Sequence, residues 1–288
     1  GVIYKASTLG NTMLQSTIQM TDAERPLMQR VNGRAEVHLD AGGLVHLHQR
    51  GSAKAMLPRV HGDRPEIVFL NTAGGVTGGD RLHYDLRIGS GASAVATTQT
   101  AERAYASNSG AADVSIRVNV DAGGALDWLP QETILFDRAQ LDRTSEIELA
   151  SDARLLYCET LVLGRAAMGE VVTDLRLQDN RMIRRAGKPL LFDPVLITGD
   201  MLGDAGQPAL LGDARAVATV VLAEQGAEDA LSALRDILAG ANCRAAASAW
   251  NGKCVIRLMA QDAWPLRQTL KQVLSHLRGG ELPRVWQL

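Results

Sequence analysis

Val37-His38-Leu39-Asp40-Ala41-Gly42-Gly43-Leu44-Val45-His46-Leu47 is echoed later in the chain by Val118-Asn119-Val120-Asp121-Ala122-Gly123-Gly124-Ala125-Leu126-Asp127-Trp128. Both runs alternate apolar with other residues around Asp-Ala-Gly-Gly, the pattern of two short strands joined by a tight turn. With Ala-Gly-Gly as a three-residue hairpin loop, a glycine takes the positive-φ position. Leu39 then faces Val45, Val120 faces Leu126, and the apolar side chains share one face. The same register groups Ile147, Leu149, Leu155 and Tyr157 within residues 147–157. It suits residues 86–96 less well, because Arg87 would oppose Val95. Another hairpin is expected over residues 171–183, with Asp179-Asn180 as its turn. Units that recur in this way predict a mainly β fold of stacked hairpin layers, resembling an irregular β-helix or solenoid in which each unit buries its apolar face on the next.

Outward from these units, residues 31–213 keep the same short alternating runs punctuated by Gly and Asp and read as one β-rich body. Residues 1–30 carry Thr, Gln, Ser and Asn without periodicity up to Pro26 and read as a loosely ordered arm. Residues 214–288 differ in kind. Strands are expected at 214–224, 244–250 and 253–260. A helix over 227–239 puts Leu231, Leu234 and Leu238 on one stripe, with Glu228 and Asp229 in its first turn. Asp262 can cap a second helix with Pro265 in its first turn and Leu266, Leu270, Val273, Leu274 and Leu277 facing inward before Gly279. This part reads as β-α-β-β-α packed on the body, so the fold ends in two α-helices.

Composition narrows the function. Among 288 residues, 30 Lys and Arg against 32 Asp and Glu leave a net charge of −2, which argues against nucleic acid held by bulk charge. Hydrophobic residues at 46% and charged ones at 22% are a globular mixture. No run approaches the ~18 apolar residues of a membrane span, and Gly1 to Gly10 lacks a signal pattern. Cys158, Cys243 and Cys254 show no CxxC spacing, so neither a disulfide framework nor a thiolate zinc site is indicated, and a cytoplasmic location is expected.

The chemistry-bearing motifs are mostly decoys. Thr72 to Asp80 looks like a phosphate cradle, but Asp80 stands where a P-loop needs lysine. Gly89, Gly91 and Ala94 match G-x-G-x-x-A, yet Val95, Thr97 and Thr98 favour a strand over the helix that would hold pyrophosphate. Alternation sets His38 opposite His46, with His48 and Glu36 on the same face, where three imidazoles could meet nickel or zinc. A solvated polar face needs no such ligand. Asp80, Glu132, Asp137, Glu159 and Glu170 lie near turns or strand ends. A facing pair of them would suit a β-solenoid carbohydrate hydrolase or lyase, the alternative reading.

Four blocks carry a more specific signal: Leu70-Asn71-Thr72-Ala73-Gly74-Gly75-Val76-Thr77-Gly78-Gly79-Asp80, Thr97-Thr98-Gln99-Thr100-Ala101-Glu102-Arg103-Ala104-Tyr105, Trp128-Leu129-Pro130-Gln131-Glu132-Thr133-Ile134-Leu135-Phe136, and Leu163-Gly164-Arg165-Ala166-Ala167-Met168-Gly169-Glu170. In this order they resemble the blocks of the urease accessory protein UreD (UreH) family, from about Val31 to the end of the chain. The resemblance implies a non-enzymatic factor, largely β with two helices, that binds UreF and through it the GTPase UreG, and serves nickel delivery to apo-urease. It also implies a polar internal passage in which nickel is a transient, weakly held cargo and no cofactor is tightly bound. Carried over block by block, it makes Asp80, Glu132 and Glu170 passage candidates, with Asp137 added because it closely follows its block. Thr98, Gln99, Arg103, Tyr105 and Arg165 become candidates for partner contact or for fixing the blocks together. Arg103 stands where the family commonly has Lys, and His38, His46 and His48 lie outside the blocks.

Overall fold

The computed structural model describes residues 30–59, 64–165, 168–203 and 211–287. Of the arm expected at 1–30, all but Arg30 lies outside the described residues. The strands are β1 (Asn32–Asp40), β2 (Gly43–Arg50), β3 (Ala53–Met56), β4 (Glu66–Asn71), β5 (Arg81–Ile88), β6 (Ser93–Thr98), β7 (Glu102–Ala104), β8 (Ala112–Val120), β9 (Ala125–Trp128), β10 (Thr133–Leu135), β11 (Ala139–Leu149), β12 (Arg154–Leu163), β13 (Leu175–Arg185) and β14 (Lys188–Thr198). The short helix α1 (Gly199–Gly203) follows, then β15 (Ala216–Ala223), α2 (Leu231–Ala239), β16 (Arg244–Trp250), β17 (Lys253–Ala260), α3 (Ala263–Arg278) and α4 (Arg284–Gln287).

The strands form two facing sheets. One has the order β14-β13-β11-β8-β5-β1-β2; the other runs β16-β17-β15-β12-β9-β6-β4-β3, with β10 beside β12 and β7. Within the first, β1, β5, β8, β11 and β13 are all parallel; within the second, so are β4, β6, β9 and β12. The chain therefore climbs as a solenoid, one strand in each sheet per turn, as the repeated pattern predicts.

The repeating unit itself is corrected. Only its first copy is a hairpin, β1 with β2, and even there a bulge pairs Leu39 with Leu44 instead of Val45. In the units at 86–96, 118–128 and 147–157 the turn carries the chain from one sheet to the other. These arches stack: Gly91 N–H donates to Ala122 O, Ala125 N–H to Ala92 O, and Arg154 N–H to Gly124 O, each at 2.9 Å. Hairpin and arch both gather alternate side chains, so the sequence pattern does not separate them; what differs is whether the two apolar faces lie side by side or look at each other across a core. Arg87, an obstacle to the hairpin, points outward from β5 to Asp121 at 3.0 Å. Nor is Asp179-Asn180 a turn. It sits in mid-β13, and the reversal falls at Ala186-Gly187, both at positive φ.

The core between the sheets is Val, Leu, Ile and Ala with Phe69, Tyr84, Trp128 and Tyr157. β15 pairs antiparallel with β12, so the C-terminal strands extend the sheet of the body. α2 and α3 cover its outer face over a second core that includes Leu156, Val220, Ile256, Leu270 and Trp286. Asp262 caps α3 by accepting the Trp264 N–H at 2.7 Å.

Candidate functional site

The four sequence blocks meet on one side of the solenoid. Gly75 lies so close beneath Tyr105 that an added Cβ would sit 2.3 Å from its ring. The Tyr105 hydroxyl and Arg103 Nη1 both donate to Gly74 O, at 3.3 and 3.4 Å. Tyr105 stands edge-on to Phe136 at 4.9 Å between centroids, and the Arg165 guanidinium lies over the other ring's face at 4.6 Å. Arg165 Nε donates to Glu170 at 2.9 Å. Thr98 Oγ1 accepts the Gln131 N–H at 2.9 Å, while Gln99 is exposed with its N–H on Phe69 O. Thr98, Arg103, Tyr105 and Arg165 thus tie one block to another.

The carboxylates named from the blocks are not gathered in one place. Asp80 accepts the Val31 and Thr77 N–H groups, each at 2.8 Å. Asp137 accepts Thr173 N–H and Oγ1–H and Asp174 N–H, and the two backbone bonds hold its carboxyl below the usual range. Glu170 accepts the Asp137 N–H at 3.2 Å, so these two adjoin. Glu132 is apart from them and pairs with Arg267 of α3 at 3.3 Å. His38 does face His46 and Glu36 does face His48 in the β1–β2 register. His46 reaches Glu36 at 3.5 Å. Among the described residues, however, no three His, Cys, Asp or Glu side chains converge as a metal site would require.

The polar centre lies inside the solenoid. β11 shows its inner row as Ala139, Leu141, Arg143, Ser145, Ile147 and Leu149, an apolar stripe broken by two polar residues. Parallel pairing sets Arg143 beside Asp179 and Ser145 beside Arg181; antiparallel pairing sets Arg181 beside Asp193. From the opposite sheet, one rung of Glu159, Thr219 and Arg257 faces them. An ion-pair ladder spans the gap. Arg143 meets Glu159 at 2.8 Å and Asp179 at 2.6 Å, Arg181 meets Asp179 at 2.6 Å and Asp193 at 3.2 Å, and Arg257 meets Asp193 at 2.5 Å. Three guanidinium groups balance three carboxylates. Burial disfavours charge on Arg143, Glu159, Asp179 and Arg181, but the two arginines outweigh it at Asp179, whose carboxyl stays below its ordinary range. At Glu159 burial prevails, and its carboxyl is raised in spite of Arg143.

Two cavities share Glu159 in their linings. One, of about 60 Å³, lies under the blocks and is lined by Asn71, Gly74, Thr98, Glu102, Gln131 and Arg143 as well as Glu159. The other, of about 460 Å³, opens between β14 and the β15–β17 pair, with Glu159, Arg181, Asp193, Thr219 and Arg257 among apolar residues such as Leu196 and Leu258. Burial pushes the Glu102 carboxyl up to about 7, against weaker opposition from Asn71 Nδ2, 3.3 Å away, and the Arg103 N–H. Buried polar atoms of Gln131, Ser145 and Tyr157 in this region have no hydrogen-bond partner among the described residues, which marks an interior with polar capacity to spare. Its oxygen donors suit a hard or borderline cation held loosely and offer no soft-metal cage.

Glu102, Arg143, Asp179, Arg181, Asp193 and Arg257 were not singled out by the sequence reading, and Glu159 figured only as one acidic residue among several. The available signal was an interruption: Arg143 and Ser145 occupy the apolar phase of an alternating strand, as do Asp179 and Arg181 in the next. No described helix is long and apolar enough to cross a membrane.

Comparison with known proteins points the same way as the blocks. The family profile described as UreD urease accessory protein matches residues 31–287. A protein named urease accessory protein UreD from Cereibacter sphaeroides (strain ATCC 17025 / ATH 2.4.3) is 53% identical over 267 residues, covering 91% of this chain and 97% of that protein. Proteins of the same name are 50% identical in Dinoroseobacter shibae, over 93% of this chain and 96% of theirs, and 41% identical in Methylobacterium sp. (strain 4-46), over 91% and 96%.

Proposed function

This chain belongs to the UreD family of urease accessory proteins, and on that premise we propose that it is a non-catalytic maturation scaffold whose interior passes nickel toward apo-urease. The observation that carries this reading is the charged band inside the solenoid, where Glu159 lines both the cavity under the sequence blocks and the wider one beyond. A route for a divalent cation needs oxygen ligands close enough to hand the ion on and weak enough to release it. Glu102 and Glu159, with Asp193 at the far opening, supply carboxylates along such a route, and the balancing arginines keep any one of them from becoming a trap. Asp80, Asp137 and Glu170 serve the passage by fixing the turns around its blocks, and Glu132 by anchoring α3 through Arg267.

In the same reading the chain holds apo-urease on one surface and UreF, with the GTPase UreG behind it, on another. Exposed Gln99, with Tyr105 and Arg165 stacked beside Phe136, forms the surface at the mouth that partner contact would use. The polysaccharide-cleaving alternative gains no support from the site, because Glu159 and Asp193 are each held by a guanidinium and not free to act as an acid–base pair.

The test is Glu159→Gln, which keeps shape and removes one interior charge. In cells expressing urease and the accessory proteins, urease activity and urease-bound nickel are expected to fall about tenfold or more while the variant still co-purifies with UreF. Full activation by a folded Glu159→Gln protein would remove the passage from the account.

A further inference from the structure

The ladder inside the solenoid does not have equal rungs. Arg143 and Arg181 are almost wholly buried, with side-chain exposures of 6% and 4%, and each bridges two carboxylates. Moving either would strand charge in the core. Arg257 is different: its side chain is 52% exposed, it ends the ladder, and its only hydrogen-bond partners among the described residues are Asp193 and Thr219. Its guanidinium sits on Asp193 Oδ1 at 2.5 Å and near Thr219 Oγ1 at 3.2 Å, at the side of the 460 Å³ cavity. A cation is thus already seated on an aspartate and a threonine hydroxyl, in the place where the interior meets the outside.

We propose that Asp193 and Thr219 form a divalent-cation seat that Arg257 occupies as a displaceable internal counter-ion. The inference rests on the passage reading above and adds to it the point at which the ion enters or leaves. When Arg257 swings into solvent, the ladder changes from three positive and three negative groups to two and three, and an Asp193 oxygen is freed beside a hydroxyl. A hydrated divalent ion then replaces one guanidinium without leaving a bare carboxylate behind. Return of Arg257 expels it. The charged band that the seat ends has polar capacity of its own: among the described residues the Tyr157 and Ser145 hydroxyls are buried without hydrogen-bond partners, Ser145 beside Arg181 and Tyr157 within electrostatic reach of Glu159, Asp179 and Arg181. A single protein-supplied guanidinium also makes the seat self-limiting, because the ion always competes with a tethered rival at high effective concentration.

The decisive measurement is Ni²⁺ titration of the full chain by calorimetry, on wild type, Arg257→Gln, Asp193→Asn and the double variant. Removing the rival is expected to tighten nickel binding about tenfold or more. Asp193→Asn is expected to abolish the gain, so that the double variant binds no better than Asp193→Asn alone. A merely structural arginine would give loss or no change, never a gain that depends on Asp193. Unchanged or weaker nickel binding by a folded Arg257→Gln protein overturns the proposal. Should that variant not fold, Arg257→Lys decides: it keeps the charge but not the fork, a severalfold gain is expected, and equal affinity overturns the seat. The two readings can fail separately. Tighter binding by Arg257→Gln with normal urease activation by Glu159→Gln supports the seat and removes the passage; unchanged binding with lost activation removes the seat and leaves the passage standing.

Discussion

Glu102 shows how one side chain records its surroundings. It projects from β7 into the smaller cavity, where Asn71 donates to it, Tyr84, Arg143 and Glu159 share the lining, and Arg103 turns its own guanidinium away to Gly74. Its carboxyl, ordinarily near 4.5, is pushed up to about 7, chiefly by burial. Because the folded state prefers the protonated form, the residue costs nothing below about pH 4.5, and the cost grows with pH until about 7, where it reaches on the order of 3 kcal/mol. Glu102→Gln is therefore expected to match wild type in urea midpoint at pH 4.5 and to exceed it at pH 8. Equal midpoints at both pH values would show that Glu102 is not buried as described. At this scale the sequence was legible where a residue belonged to a block and silent where its role came from burial. Glu102 lies inside a block yet drew no notice, since a glutamate between Ala101 and Arg103 looks like any surface residue until Tyr84 and Trp128 close around it.

Among the elements, α3 shows how helix and sheet are locked together. Its spacing of Leu266, Leu270, Val273 and Leu274 and its cap at Asp262 are where the sequence put them. What joins the helix's far end to the solenoid was not visible. Asp127 on β9 has no exposed side-chain surface and accepts from three arginines: Arg64 at 3.0 Å, Arg154 at 2.7 Å and Arg278 at 2.9 Å. Arg154 also donates to Leu277 O in the last turn of α3. Three cations on one buried carboxylate leave a large uncompensated charge if it is removed. Asp127→Ala is expected to cost about 3–5 kcal/mol, with amide exchange in α3 accelerating before exchange in β8 and β11. Uniform acceleration across the chain would contradict a local anchor. Asp127 alternates with Leu126 and Trp128 in β9, so the side it faces was legible; that α3 and three arginines cover that side was not.

Across the whole molecule, the first sheet ends in two edge strands that carry exposed apolar side chains. β2 is one end of the first sheet, with Leu44, Val45 and Leu47 exposed; β14 is the other, with Phe192 and Leu196 exposed. Edges of this kind favour association. Replacing Val45 and Phe192 by Lys is expected to raise the concentration at which the isolated chain stays monomeric, by light scattering, with little change in melting temperature. No gain in monomer would mean that these edges are not what makes the chain associate. Stacked β architecture and the two C-terminal helices could be read from the chain alone, because alternation, turn residues and helical spacing are local and each is written within a dozen or so residues. The four blocks likewise announced the family. Whether a turn makes a hairpin or an arch, and which charged residues share the interior, was decided only in three dimensions. Arg143, Glu159, Asp179, Arg181, Asp193 and Arg257 come from five strands, and it is parallel stacking of successive turns, together with the closing of one sheet over the other, that turns six scattered charges into one buried ladder. Coulomb attraction acts across space and takes no account of distance along the chain.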